Sequence, residues 1–190
     1  MKTARKALML ILCAALLVSA TVMGTLAYLT DKSEVVTNTF TVGKIDITLT
    51  ETKGNSFKIV PGATNAKDPT VTVLKGSEEC YVYALVTNNL VLNGKTVATV
   101  NVDAGEWTSI GTSGNKTLYR YKGTVNAAAE DVKVPVFTQV TYDKTEITES
   151  NINELDGKTI VIEAFAHQSA NTEQTAADAA ATKWAFPSAT

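Results

Sequence analysis

The sequence predicts an all-β protein: a jelly-roll-like two-sheet β-sandwich with one or two short helices, preceded by a hydrophobic signal helix. Two observations lead to this fold class. The first 27 residues are cationic at the start and then apolar, whereas the chain beyond Asp31 consists of short runs of alternating polarity separated by turn-forming residues. Many short strands at even spacing are typical of a sandwich. We therefore divide the chain into a signal peptide at 1–27, an N-terminal segment at 28–40 and a β-sandwich domain at 41–190.

The N-terminus has the order of an export signal. Three cationic residues lie within the first six, an uncharged apolar run follows at 7–23, and small residues lead up to Ala27. This order predicts cleavage between Ala27 and Tyr28, after which the protein is secreted. The alternative is a retained anchor, because residues 7–29 are long enough to span a bilayer core of about 30 Å. We expect contact with the membrane only through the uncleaved signal.

Charge and cysteine content exclude several classes of protein. Without residues 1–27 the chain has 14 basic and 19 acidic residues, a net charge of −5, which disfavours nucleic-acid binding. Cys13 follows Leu12 inside the apolar run and does not fit a lipoprotein signal, so the exported chain keeps only Cys80 and no internal disulfide. A single histidine excludes sites that need two or three imidazoles.

The first half of the domain contains three predicted strands. Residues 40–49 alternate in polarity, and Gly43 lies at a phase slip that indicates a bulge. Pro61-Gly62 predicts a turn, and residues 71–73 form the next alternating strand. Residues 80–86 are apolar on both phases, which predicts a central strand covered on both faces.

The second half contains a hairpin and three further strands. Asn93-Gly94 supplies the positive φ angles of a tight turn within residues 90–102. Strands are predicted at 118–121, 132–142 and 160–166, and a proline at position 135 indicates an edge strand or a bend.

Two short helices complete the predicted fold. One is expected at 149–155 and the other at 172–184, with Asn171 as the N-cap of the second. Its aromatic end, Trp184 and Phe186, is expected to dock on the sheet.

Two residues could suggest catalysis, but their surroundings favour structural roles. His167 ends the last strand without the HExxH or Cys-x-x-Cys spacing of a metal site, so we interpret it as a structural polar residue. Cys80 follows Glu78 and Glu79, whose charges raise a thiol pKa rather than lower it. A buried small hydrophobic residue is the favoured reading of Cys80.

Other candidate sites also have simpler interpretations. Asp143, Glu146 and Glu149 could hold calcium but lack the ligand order of an EF-hand loop, so a solvated acidic stretch is favoured. The segments at 111–114 and 53–55 lack phosphate-loop spacing and are predicted to be loops. We expect no metal and no cofactor. Five tyrosines could make a glycan-binding face if several of them line one exposed side, although ordinary sandwich positions are favoured: Tyr81, Tyr83, Tyr119, Tyr121 and Tyr142.

The predicted cleavage junction resembles a known family. The run GTLAYLTD at 24–31, followed by NTFTVGKIDITL at 38–49, resembles exported proteins cut by the SipW-type signal peptidase of Gram-positive bacteria, the TasA/camelysin (CalY) family. This family includes a biofilm-matrix fibre protein. Further resembling segments lie at 61–62, 71–74, 80–86 and 164–168.

The resemblance implies a secreted jelly-roll domain of the extracellular matrix or cell surface. Its segment at 28–40 would be donated as a strand to the next subunit, with Val35, Val36 and Phe40 as candidate donor residues. Because donor and acceptor surfaces differ, such contacts build a filament. The implied partners are further copies of the chain, the signal peptidase during export, and matrix polysaccharide.

Two questions of function stay open at this stage. Camelysin is classed as a metallopeptidase, but the missing zinc ligands predict that this chain is not an enzyme. The alternative to a fibre subunit is a monomeric surface-exposed binding module for polysaccharide or a host ligand.

Overall fold

The computed structural model describes Met9 and residues 43–54 and 57–187. The predicted signal helix, the cleavage residues Ala27 and Tyr28, and the candidate donor residues Val35, Val36 and Phe40 lie outside the described residues, so those predictions stay predictions. From Gly43 onward the described residues belong to one compact unit. Within the described residues no helix combines the length and the apolar character that crossing a membrane requires.

This unit consists of twelve strands, one 3-10 turn and one α-helix. In chain order they are β1 (Ile47–Thr50), β2 (Thr64–Ala66), β3 (Thr70–Val73), β4 (Cys80–Asn88), β5 (Val91–Leu92), β6 (Lys95–Thr96), β7 (Ala98–Val102), β8 (Trp107–Ser113), β9 (Lys116–Tyr121), β10 (Val132–Pro135), β11 (Phe137–Tyr142), the 3-10 turn (Ile152–Leu155), β12 (Ile160–Gln168) and α1 (Gln174–Ala185).

The strands form antiparallel sheets that pack as a sandwich, which confirms the predicted all-β fold class. One layer is a four-stranded sheet in the order β12-β4-β9-β8. The other layer is divided into two three-stranded sheets, β1-β3-β10 and β2-β11-β7, and Val136 links β10 to β11 between them. The remaining pair, β5-β6, is a two-stranded hairpin.

The main core lies between these layers because alternate residues of each strand point into it. Val71 and Val73 enter from β3, Val82 and Ala84 from β4, and all four are fully buried. The other phase of β4 is also buried, since Leu85 packs under α1. The prediction of a central strand covered on both faces is therefore confirmed.

Helix α1 covers the outer face of the four-stranded sheet through an alanine stripe, Ala177, Ala181 and Ala185. Small side chains let the helix approach the sheet closely. At its end Trp184 stacks on Phe165 of β12 at 5.2 Å between ring centroids. Phe186 lies against Gly111 of β8, where an added Cβ would be 3.1 Å from the ring. The predicted docking of this aromatic end is confirmed.

Several predicted boundaries are wrong. The run at 40–49 becomes a strand only from Ile47 within the described residues, and Gly43 precedes it instead of forming a bulge. Gly43 is close to the Glu78 side chain, and an added Cβ would lie 2.6 Å from Cγ of Glu78. The turn at 93–94 is confirmed, but Val97 separates β6 from β7, which pairs with β11 in another sheet.

Strand β8 was not predicted, because its segment WTSIGTS contains few apolar residues. Gly111, expected in a loop, lies in this strand at a register shift. The N-cap of α1 is Glu173 rather than Asn171, whose φ of 55° is incompatible with the extended N-cap conformation. Pro135 behaves as predicted: it ends the edge strand β10, and the chain then continues into a different sheet.

Candidate functional site

The candidate site is the free edge of β12 and the groove beside it. Strand β12 is nine residues long and pairs with β4 in unbroken register from Ile160 to Gln168. It contains no glycine or proline, and it is the outer strand of its sheet. In the part of the chain that the structure describes, no strand pairs with its other side.

The ladder identifies which backbone groups point outward. Asn89 N–H donates to Thr159 C=O, and Ser169 N–H donates to Glu79 C=O, so odd-numbered residues of β12 bond to β4. Hydrogen-bonding direction alternates along an antiparallel strand. The N–H and C=O groups that point away from β4 therefore belong to the five even-numbered residues of β12: Ile160, Ile162, Ala164, Ala166 and Gln168.

The other sheet edges lack this combination of length and regularity. Strand β8 has a register shift between Ser109 and Gly111, and β7 has an irregular register against β11. Strand β10 is four residues long and ends at Pro135, while β1 and β2 have four and three residues. Bulges, prolines and short edges are devices that prevent strand addition, and β12 has none of them.

A groove of about 500 Å³ opens beside the beginning of β12. Its apolar lining comes from both layers: Phe57, Ile59, Leu90, Val140, Ile160 and Ile162. Ile160 and Ile162 point toward the core but stay only half-buried, because no strand lies beyond them among the described residues. Val161 adds an exposed apolar side chain, 42% accessible, on the outer face. The groove thus offers apolar surface directly beside unpaired backbone groups.

One wall of the groove is a loop that follows β1. The Lys67 ammonium lies 2.6 Å from a Glu51 carboxylate oxygen, donates to the Gly54 carbonyl at 3.0 Å and lies 4.2 Å from the Phe57 ring centroid. Asp68 accepts hydrogen bonds from the backbone N–H groups of Thr52 and Lys53, both at 2.9 Å. These contacts hold the loop in place as a wall. Strand β1 also contacts β12 without forming a ladder with it.

Cys80 and His167, the two residues that could suggest catalysis, lie in positions that fit structural roles. Cys80 is fully buried in β4, and burial, followed by the charge of Glu79, raises the pKa of its thiol to about 11. His167 lies in β12, where its Nδ1 is 3.0 Å from the Gln168 carbonyl. Cys80 and His167 are in neighbouring strands but belong to opposite faces, so they do not form a catalytic pair.

The acidic residues at 143–149, which could have suggested a calcium site, make hydrogen bonds and an ion pair within and beside a turn. Oδ1 of Asp143 accepts hydrogen bonds from the Thr145 N–H and hydroxyl, both at 2.7 Å, which lowers the pKa of this carboxyl. Glu146 pairs with Lys95 at 2.5 Å, and Glu149 is exposed. In the described part of the chain, no three histidine, cysteine, aspartate or glutamate side chains come together to hold a metal ion.

The five tyrosines do not share one exposed face. Tyr81 and Tyr83 lie on the side of the sheet that α1 covers, whereas Tyr119 and Tyr121 pack against the main core from β9. Tyr142 is 6% exposed and accepts a hydrogen bond from Asn65 at 2.8 Å. These locations fit the favoured interpretation that the tyrosines occupy ordinary sandwich positions.

Sequence reasoning missed a polar network beneath α1. The Asp178 carboxylate accepts a hydrogen bond from the Tyr83 hydroxyl at 2.9 Å and forms an ion pair with Arg120. Burial, together with this hydrogen bond, raises the pKa of Tyr83. The Gln174 amide oxygen, oriented toward Arg120, lies 2.8 and 3.0 Å from its two terminal nitrogens. The only sequence signal was an aspartate on the alanine-rich face of a helix.

Comparison with known proteins gives one match. A sequence-family model described as camelysin metallo-endopeptidase matches residues 2–105, more than half of the chain. No curated protein and no solved structure matches the chain. The matched range includes β1 to β7 and ends before α1 and β12.

Proposed function

The chain belongs to the camelysin family, and on that premise we propose that it is an exported protein of the cell surface or extracellular matrix that works by assembly rather than by catalysis. In this proposal the N-terminal segment at 28–40 of one subunit adds to the sandwich of the next. Cleavage between Ala27 and Tyr28 would free that segment for donation.

The observation that carries the proposal is the free edge of β12. A strand that adds there gains main-chain hydrogen bonds to Ile160, Ile162, Ala164 and Ala166, and its alternate side chains can enter the groove. The apolar lining of the groove suits Val36 and Phe40, which share one phase of the donor segment, while Val35 on the other phase would face outward on the side of the exposed Val161.

Strand donation of this kind produces a filament. The donor segment at 28–40 precedes the domain, whereas the acceptor is the edge strand β12 within the domain. The two contact surfaces of a subunit therefore differ. A head-to-tail contact between different surfaces continues from subunit to subunit unless its rotation closes a ring. We therefore assign the protein the role of a fibre subunit.

The proposal excludes the peptidase activity that the family description names. Zinc endopeptidases hold their metal with three protein ligands, of which two or more are usually histidines. This chain has one histidine, His167, which lies outside the range matched to the family. The described residues do not fit a catalytic zinc site. A casein-cleavage assay with and without a chelator tests this part, and chelator-sensitive cleavage by the purified protein would contradict it.

The assembly proposal is tested with substitutions on β12. Ala164→Pro removes an N–H that points away from β4 and places the proline ring in the path of an added strand, while the ladder to β4 keeps its bonds. Ala164→Ser is the matched control, because it keeps the N–H and nearly the same size. Ala166→Pro repeats the test at the next outward position if Ala164→Pro does not fold.

We expect the parent and Ala164→Ser to form fibres in negative-stain microscopy and in sedimentation, and a folded Ala164→Pro to stay monomeric. Deleting residues 28–40 should also abolish fibres. Fibres from a folded proline variant would exclude β12 as the acceptor, and fibres from the deletion would exclude 28–40 as the donor. A parent protein that forms no fibres under matrix-forming conditions would contradict assembly itself.

A further inference from the structure

The chain enters the domain at one end of β12, and the apolar groove lies at the other end. The Lys44 carbonyl accepts the Glu78 N–H at 3.0 Å, and the neighbouring Glu79 carbonyl accepts the N–H of Ser169, the residue directly after β12. The entry point is therefore beside the end of β12, whereas the groove opens beside its beginning. These two ends are about 26 Å apart, because the nine residues of β12 rise about 3.3 Å each.

This placement links the direction of an added strand to the arrangement of subunits. The segment at 28–40 ends three residues before Gly43, so its last residue stays within about 11 Å of its own domain. In an antiparallel strand that last residue lies at the beginning of the acceptor β12, and the end of one subunit meets the beginning of the next. A parallel strand would bring two like ends together, which gives a closed pair or a fold-back onto the same subunit instead of a filament.

The side chains of the segment favour the antiparallel direction. Phe40 and Lys32 share the phase that enters the groove, and they are eight residues apart, which is the length of β12. An antiparallel strand brings Phe40 to the apolar groove, where an aromatic ring gains from burial. A parallel strand would bring Lys32 there instead, beside Lys67 and Lys158. Glu51 is the carboxylate of the groove lining and is already paired with Lys67, so the added ammonium would be buried without a partner.

We propose that the added strand runs antiparallel to β12 with Phe40 as its anchor in the groove, so that subunits stack end to end along the β12 axis. This inference rests on the proposed function and adds the direction and register of the contact. With Phe40 opposite Ile160, Thr39 lies opposite the exposed Val161 on the outer face. Because the backbone groups of Val161 point toward β4, Thr39 and Val161 form a non-hydrogen-bonded pair, whose side chains are close together.

Disulfide formation between two single-cysteine variants tests the direction. Thr39→Cys and Val161→Cys are mixed, assembled and oxidised, and we expect a covalent dimer on a non-reducing gel, because the paired Cβ atoms lie within reach of a disulfide. Neither variant should give this dimer alone. Ser33→Cys is the matched control, since it lies on the same phase and comes opposite Val161 only in a parallel strand. The native Cys80 is fully buried and should not contribute.

The protein concentration needed for fibre formation tests the anchor. Phe40→Ala should raise this concentration about tenfold or more, because a large aromatic side chain in a pocket is typical of the residues that dominate binding. Thr39→Ala is the control, since its side chain faces outward, and it should assemble like the parent. Equal concentrations for the two variants would show that Phe40 is not the anchor.

Two results of the disulfide experiment would overturn the proposed direction. Fibres in which Ser33→Cys, rather than Thr39→Cys, couples to Val161→Cys would show a parallel strand and leave strand addition to β12 intact. A disulfide within single chains of Ser33→Cys/Val161→Cys would show a fold-back onto the same subunit. A parent protein without fibres is a different result, because it contradicts the proposed function itself.

Discussion

Removing the Asp178 carboxylate should loosen helix α1 from the sheet. In Asp178→Ala the Tyr83 hydroxyl, on a fully buried residue, loses its acceptor, and the Arg120 guanidinium loses its counter-ion. A hydrogen bond to a charged acceptor contributes about 1.5–3 kcal/mol, and a partly exposed ion pair about 0–1 kcal/mol. The expected cost is therefore about 2–4 kcal/mol of unfolding free energy.

Thermal unfolding followed by circular dichroism measures this cost. For a domain of this size about 1 kcal/mol lowers Tm by 2–4 °C, so Asp178→Ala should lower Tm by about 4–16 °C. Glu173→Ala is the control, since Glu173 is exposed and its side chain makes no capping bond. Its loss should cost less than about 1 kcal/mol.

A double-mutant cycle assigns the effect to the contact itself. Tyr83→Phe should destabilise the parent but have little effect in the Asp178→Ala background, because the hydrogen bond is already gone. Equal effects of Tyr83→Phe in both backgrounds would refute the reasoning, as would an Asp178→Ala protein that unfolds within a degree of the parent.

Three further predictions concern single residues. The thiol of Cys80 is buried and its pKa is raised to about 11, so it should resist iodoacetamide at neutral pH and react once denaturant is added. Mass spectrometry of the peptide that contains Cys80 measures the labelling. Rapid labelling of the folded protein would contradict the burial of Cys80. The pKa of Asp143 is lowered from its ordinary value of 3.8 by its hydrogen bonds to Thr145. Its contribution to the free energy of unfolding is therefore present above about pH 3.8 and is lost as the pH falls through the folded-state pKa. The Tm gap between the parent and Asp143→Asn should accordingly narrow in acid. Gly94→Ala, at φ of 76°, should cost about 1–2 kcal/mol in chemical denaturation, and an unchanged midpoint would argue against the tight turn.

Local patterns in the sequence predicted the parts of the fold that local physics determines. Alternation identified β3 and β12, the continuous apolar run identified β4, and Asn93-Gly94 identified its turn. Strand β8 was not predicted, because its sequence has little apolar character and its strand structure depends on pairing with β9. The cap of α1 was misplaced because a good capping residue type, Asn171, has the wrong backbone conformation.

The candidate site could not be predicted in the same way, because it depends on which elements become neighbours. The sequence of β12 indicates a half-buried strand, but only the sheet order makes it an edge. The groove likewise joins Phe57 and Ile59, which precede β2, to Ile160 and Ile162, which are about 100 residues away in the chain. Long-range pairing of this kind leaves no local pattern.

The central claim is that β12 receives a strand from another subunit, and residue-resolved amide hydrogen exchange tests it most directly. In dilute monomer the inward-pointing amides should exchange slowly and the outward-pointing ones quickly; the outward set is Ile160, Ile162, Ala164, Ala166 and Gln168. After assembly all of them should exchange slowly, because the outward amides now donate to the added strand. Outward amides that stay fast in the assembled protein, or that are already slow in dilute monomer, would contradict the account.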